Sequence, residues 1–336
     1  MKEFTKDESK ILKGITILFM LGLHLFNNID TTKYYHPLLY IGNMPVIYYI
    51  SFSFDICVPI YCFCSGYALY LKNPSMKENI NRIFKLLGKY WIILIFTCIT
   101  GVILNDKNIP GSIFDFLGNV TLLNLSYIGS WWFLQTYVLL VIISSWIIKA
   151  IDRLRLTVGI SLILYFISYY FKITNPIQTN IIIIDILINA VELLGTSQFP
   201  FLVGMIFYKY KIITKIKNKV EKNNFIACII ILICILIHVV IKNMIIAPFI
   251  AILFVCGYAL LSFNAITKKL LLFLGNHSTN IWLLHTQFYA KFAPMIVFCT
   301  NTVLGCLIIL LGLCIATSHV INFLYSKTLK ILNYYN

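Results

Sequence analysis

The chain has 336 residues, of which 60% are hydrophobic and only 12% charged, about half the charged fraction of an ordinary soluble domain. Its net charge of +15 would suit a nucleic-acid binder only if a folded soluble module carried a basic face, and recurring apolar runs of membrane length leave no room for one. The sequence therefore predicts an all-α integral membrane protein of the cell (plasma or inner) membrane. It is expected to form one membrane domain over residues 1–336, with the bilayer as a partner and no nucleic acid.

About ten spans of roughly 17–25 residues are predicted: 11–28, 47–71, 83–104, 131–149, 155–172, 181–208, 225–241, 244–263, 279–298 and 302–325. No signal-cleavage pattern precedes the first, so it is expected to act as the anchor. The sixth is long and contains Pro200, so a kink or an interfacial first part is expected there. With the N-terminus cytoplasmic, 22 of the 27 Lys and Arg fall on inner segments and 5 on outer ones. That asymmetry favours ten spans with both termini in the cytoplasm.

Span 1 carries Lys13 near one end and His24 near the other. Eleven residues are close to three helical turns, so the two share a face about 16 Å apart along the axis. Ionisable groups inside a span usually face a bundle interior or a wet cavity. Span 2 ends in Val58-Pro-Ile-Tyr-Cys-Phe-Cys-Ser-Gly-Tyr67, where Gly66 allows close helix approach and Ser65 lacks the turn of a catalytic serine. Arg82, Lys85 and Lys89 open span 3 as one basic stripe, either a topology signal or a seat for phosphates. Span 4 begins Ser130-Trp-Trp-Phe-Leu-Gln135, with Gln135 one turn inside. The approach to span 9 reads Leu274-Gly-Asn-His-Ser-Thr-Asn280, and His285 follows within the span. Polar residues at that density favour a cavity. His36, His238 and His319 have no such company and read as structural. The ten cysteines lie in or beside apolar runs and read as small buried residues. No metal-ligand spacing and no phosphate-binding glycine loop occurs.

Lys13-x10-His24, Val58-Pro-Ile-Tyr61 with Ser65-Gly-Tyr67, Arg82-x-x-Lys85, Ser130-Trp-Trp-Phe-Leu134, Phe199-Pro-Phe-Leu-Val-Gly204 and Leu274 to His285 occur in that order. Together they resemble the membrane acyltransferase-3 family, in the branch that O-acetylates bacterial surface polysaccharides. The family pattern has arginine where this chain has Lys13, and often glutamate after the tryptophan motif where this chain has Gln135. The resemblance implies ten core spans and transfer of an acyl group, acetyl above all, from cytoplasmic acyl-CoA to a hydroxyl of a polysaccharide or glycolipid. A thioester is already activated, so the reaction needs a base for the hydroxyl and stabilisation of the oxyanion. His24 is the expected base. Lys13, Arg82 and Lys85 would hold the phosphates of acetyl-CoA, and Ser65 and Tyr67 its arm. Trp132, Gln135, Asn280 and His285 would line the acyl path. No metal is expected. Polysaccharide-biosynthesis proteins or a second copy of the chain are further expected partners. A glycan transporter or flippase, and a non-catalytic subunit of a polysaccharide synthase, are the competing readings.

Overall fold

The computed structural model describes residues 4–177 and 181–334; Lys2, one of the inner lysines in the charge tally, lies outside them. The described residues are almost wholly helical. The helices are α1 (Lys6–Phe26), α2 (Val46–Phe52), α3 (Cys57–Lys72), α4 (Met76–Ile103) and α5 (Ile113–Thr121). They continue as α6 (Trp132–Ala150), α7 (Leu154–Thr174), α8 (Ile182–Lys209), α9 (Ile212–Lys219) and α10 (Asn224–Val240). The last four are α11 (Ala247–Tyr258), α12 (Ala265–Thr286), α13 (Pro294–Val297) and α14 (Val303–Tyr334). Tyr40–Ile41 and Met44–Pro45 form a small antiparallel hairpin.

Local chemistry explains where the helices begin and end. Thr5 and Glu8 exchange hydrogen bonds with each other's backbone N–H at the start of α1, and Ser112 and Asp115 do the same for α5. These are capping boxes, which satisfy donors that the first turn leaves open. Helices α3 and α7 stop at Asn73 and Asn175, both left-handed, with φ of 40° and 42°. A proline follows each asparagine. Asparagine tolerates that conformation and proline cannot extend the helix behind it.

Among the described residues, six stretches are helical, long and apolar enough to cross a membrane: Lys6–Phe26, Val46–Lys72, Met76–Ile103, Gly129–Thr174, Ile183–Lys209 and Val303–Ile331. The fourth holds both α6 and α7. Two shorter apolar helices, Asn224–Val240 and Met244–Tyr258, fall in the seventh and eighth expected spans. Ile95, Ile99, Val102 and Ile103 of α4, and Ile160, Ile163, Leu164 and Ile167 of α7, are exposed at helical spacing. Exposed aliphatic stripes over internally bonded backbone are what a bilayer accommodates. The chain is an all-α membrane protein.

The sixth expected span, 181–208, is matched in outline and the ninth is not. The sixth is one helix of 28 residues that runs through Pro200. The ninth was placed at 279–298, but α12 starts at Ala265, passes through the polar run at 276–280 and ends at Thr286 in a π-helical segment, Gln287–Phe292. Polar residues look like a boundary until their partners are seen, and those partners lie on α14.

The described residues fall into two compact units. The first comprises residues up to Met20, Tyr49–Asn79 and Thr136–Asn276; the second comprises Leu21–Tyr48, Ile80–Gln135 and residues from His277 on. In the first, α3 and α8 pack backbone to backbone. A Cβ on Gly66 would run into the Phe201 carbonyl, and one on Gly204 into the Phe63 carbonyl. Small residues at such crossings let helices approach closely. Phe63, Tyr67, Phe199, Phe207, Phe254 and Tyr258 fill the core beside them. His238 Nε2 lies 2.9 Å from Asp55 Oδ1 in the same unit, both side chains sealed from solvent. The reading of His238 as a residue without polar company is thereby corrected, since its partner stands on a distant stretch of chain. In the second unit, α5 hangs on α4: Tyr90 Oη donates to the Asn119 carbonyl at 2.8 Å and Trp91 Nε1 to the Val120 carbonyl at 3.1 Å.

Candidate active site

The second unit brings two histidines of the sequence analysis face to face. The rings of His24, from the last turns of α1, and His285, from the end of α12, have centroids 4.8 Å apart at an angle of 48°. The Tyr289 ring lies 6.1 Å from each. His285 is fully buried and His24 partly so. His285 Nδ1 sits 2.6 Å from the Trp282 carbonyl. A carbonyl can only accept, so Nδ1 holds the ring hydrogen and Nε2 keeps its lone pair. Nε2 is 3.2 Å from Thr286 Oγ1, which is 2.8 Å from Ser130 Oγ. Two hydroxyls thus continue the polar chain from the imidazole. Neither nitrogen of His24 has a hydrogen-bond partner among the described residues, and its ring is free to engage something else.

The tryptophan motif fixes this arrangement. Trp131 Nε1 donates to the Leu283 carbonyl at 2.9 Å, and Trp282 Nε1 donates back to the Ser130 carbonyl at 3.2 Å. These reciprocal bonds tie the start of α6 to the last turn of α12. Buried indole N–H groups need such acceptors. The α12 turn that carries His285 is therefore held by two bonds to the one neighbouring stretch. Trp132, next in the motif, is partly exposed and packs edge-on against Phe133.

Lower on α12, Asn280 Nδ2 donates to Ser318 Oγ at 2.8 Å and to Asn322 Oδ1 at 3.1 Å. His277 Nδ1 is 2.8 Å from the same Ser318 oxygen. His319, read from sequence as isolated, lies with its ring 4.7 Å from that of His277. Asn280 Oδ1 is buried and unpaired among the described residues, as is Gln287 Oε1. Gln135 is spent on its own neighbourhood, donating to the Leu122 carbonyl at 2.8 Å. Arg82 is partly buried and Lys85 exposed on α4; neither has an acidic partner among the described residues.

Three expected site residues belong to the first unit. Lys13 is partly buried, its carbonyl 3.4 Å from Tyr61 Oη, and its ammonium has no acidic partner among the described residues. Ser65 donates to the Tyr61 carbonyl at 2.7 Å. Tyr67 is buried among Phe4 and Tyr208, at 5.4 and 5.2 Å. Sequence reasoning missed Tyr289, Thr286 and Gln287. The available signal was Tyr289 standing four residues after His285, and so on one helical face with it.

The family model described as an acyltransferase domain matches residues 7–321. The chain belongs to the acyltransferase-3 family. It is a membrane acyltransferase, and both histidines and the Ser130–Trp131 clamp lie inside the matched region. No curated protein and no solved structure matches this acyltransferase-3 chain.

Proposed function

We propose that the chain moves an acyl group, acetyl above all, from cytoplasmic acyl-CoA to a hydroxyl of an extracytoplasmic or lipid-linked polysaccharide, with His24 as general base. The observation that carries this reading is the histidine pair. The hydrogen of His285 is committed to a carbonyl, while His24 faces it with no hydrogen-bond partner among the described residues. In the proposed step the acceptor oxygen attacks the thioester carbonyl and its proton passes to His24. The tetrahedral oxyanion then collapses, the carbon–sulfur bond breaks, and the leaving thiolate recovers the proton from His24. Base catalysis of this kind contributes about 10²–10⁴-fold. Because His285 Nε2 carries a lone pair, it cannot donate to the oxyanion, and its role is to orient His24 and keep that position dry.

Lys13, Arg82 and Lys85 are proposed for the phosphates of CoA, which is consistent with cationic side chains that lack acidic partners. Ser65 and Tyr67 are proposed to shape the passage for the pantetheine arm. Trp132, Gln135, Asn280 and His285 are proposed for the wall of the acyl path, where the unpaired Asn280 Oδ1 can accept from an amide. Family membership favours acyl transfer over the transport and non-catalytic readings. The experiment is transfer of radiolabelled acetyl from acetyl-CoA in proteoliposomes, comparing the native chain with His24→Ala at equal protein level. Loss of at least about 10²-fold is expected; retained transfer would remove His24 from the base role.

A further inference from the structure

The first unit contains a cleft of about 620 Å³ where α1 and α12 both begin. Lys6 reaches it from α1, Lys222 from the connection between α9 and α10, and Lys268 from α12. Asp7 and Glu8 also face it, but Glu8 is taken by Lys217, whose Nζ lies 2.6 Å from its Oε1. Three ammonium groups against one uncommitted carboxylate leave the cleft cationic. Lys268 and Lys269 also line a second groove of about 420 Å³, which runs along α12 past Leu272 and Phe273 to Asn276. Four to five residues are a little more than one turn, about 6–7 Å further along the helix. The charged cup and this furrow share Lys268, the furrow is apolar beyond its lysines at Leu272 and Phe273, and the adjoining face of α12 exposes Ile266 and Leu270.

Charge followed by hydrocarbon is the polarity of a lipid. A soluble phosphate compound would use the cup and leave the furrow empty. Basic pockets between membrane helices on the cytoplasmic side are suited to anionic headgroups, and hydrocarbon next to the headgroup can lie along an apolar groove. We propose that this cup and furrow form a site for one anionic glycerophospholipid, its phosphate among Lys6, Lys222 and Lys268 and an acyl chain along Leu272 and Phe273. None of the residues lining the cup or the furrow is among those assigned to acyl transfer, and the proposal does not depend on that assignment. Its consequence is mechanical. Within this unit α1 and α12 meet backbone to backbone, where a Cβ on Gly14 would strike the Leu271 carbonyl and one on Gly275 the Lys10 carbonyl. A lipid held by Lys6 and Lys268 clamps the first turns of the two helices that further along carry His24 and His285.

The test is native mass spectrometry of the full chain, purified in neutral detergent, with added phosphatidylglycerol or phosphatidylcholine. Retention of phosphatidylglycerol over phosphatidylcholine is expected. Near a membrane surface each lysine contributes roughly a fivefold factor, so Lys6→Gln, Lys222→Gln and Lys268→Gln combined should weaken retention about a hundredfold. Arginine at the same three positions should preserve it, which separates loss of charge from loss of fold. Neutralising Lys149 and Arg153, which line a different groove between α6 and α7, should leave it unchanged. Equal retention of the two lipids, or full retention by the glutamine variant, would overturn the proposal. So would displacement of the lipid by millimolar glycerol phosphate, which would assign the cup to a soluble phosphate.

Discussion

A neutral imidazole has one nitrogen to give with and one to take with, and the backbone decides which is which at His285. The Trp282 carbonyl claims the Nδ1 hydrogen, whereas neither nitrogen of His24 has a hydrogen-bond partner among the described residues. The same logic applies to Asp55 and His238 in the first unit, 2.9 Å apart and 2% and 0% exposed. A buried pair of this kind is weak evidence of net stabilisation, but removing one partner leaves the other uncompensated and costs about 3–5 kcal/mol. Asp55→Ala is therefore expected to lower the thermal unfolding midpoint in detergent sharply, while Asp55→Leu with His238→Leu should recover much of the loss. A midpoint unchanged in Asp55→Ala would show that the pair is not coupled. His24 was legible in the sequence because a histidine and a lysine on one face of an apolar span are conspicuous by composition. The partnership of Asp55 with His238 was not, because the two residues stand far apart in the sequence and only the fold joins them.

Elements show the same division. A bilayer demands long apolar helices with internally satisfied backbone, so most spans could be read from hydropathy alone. The start of α12 could not, because Asn276, His277, Ser278 and Asn280 interrupt the apolar run, and the partners that satisfy His277 and Asn280, Ser318 and Asn322, stand on α14. The α3–α8 crossing makes a prediction from glycine alone. Gly66→Ala and Gly204→Ala each place a methyl group against a carbonyl of the opposing helix. Backbone must shift to admit it, a cost of about 1–3 kcal/mol each. Gly159 in α7 and Gly312 in α14 face open space, so alanine there should be neutral or stabilise by up to about 1 kcal/mol through helix propensity. Thermal unfolding of the four single variants in detergent compares the two sets. Equal behaviour would mean that the helices do not approach as closely as their backbones indicate.

At the scale of the whole molecule, the arrangement of charge across the bilayer is the property most open to direct measurement. The basic residues divide 22 to 5 between the two sides of the ten-span reading, and lysine-rich ends remain on the cytoplasmic face. This orientation places the connection holding Cys299, between the ninth and tenth expected spans, outside the cell. Cys299 is exposed and free, and the other exposed cysteine, Cys228, stands within the apolar helix α10. A membrane-impermeant maleimide added to intact cells should therefore label the native chain, and Cys299→Ser should abolish most of that labelling. Lys215→Cys in the Cys299→Ser background puts a thiol on α9, in the basic inner segment; it should react only after the cells are permeabilised. Reaction of that thiol in intact cells would reverse the orientation, and with it the assignment of Lys13 to the donor side and His24 to the acceptor side. Because an odd error in the number of spans moves Cys299 and residue 215 to the same side, the paired labelling tests the span count between them as well as the direction of insertion.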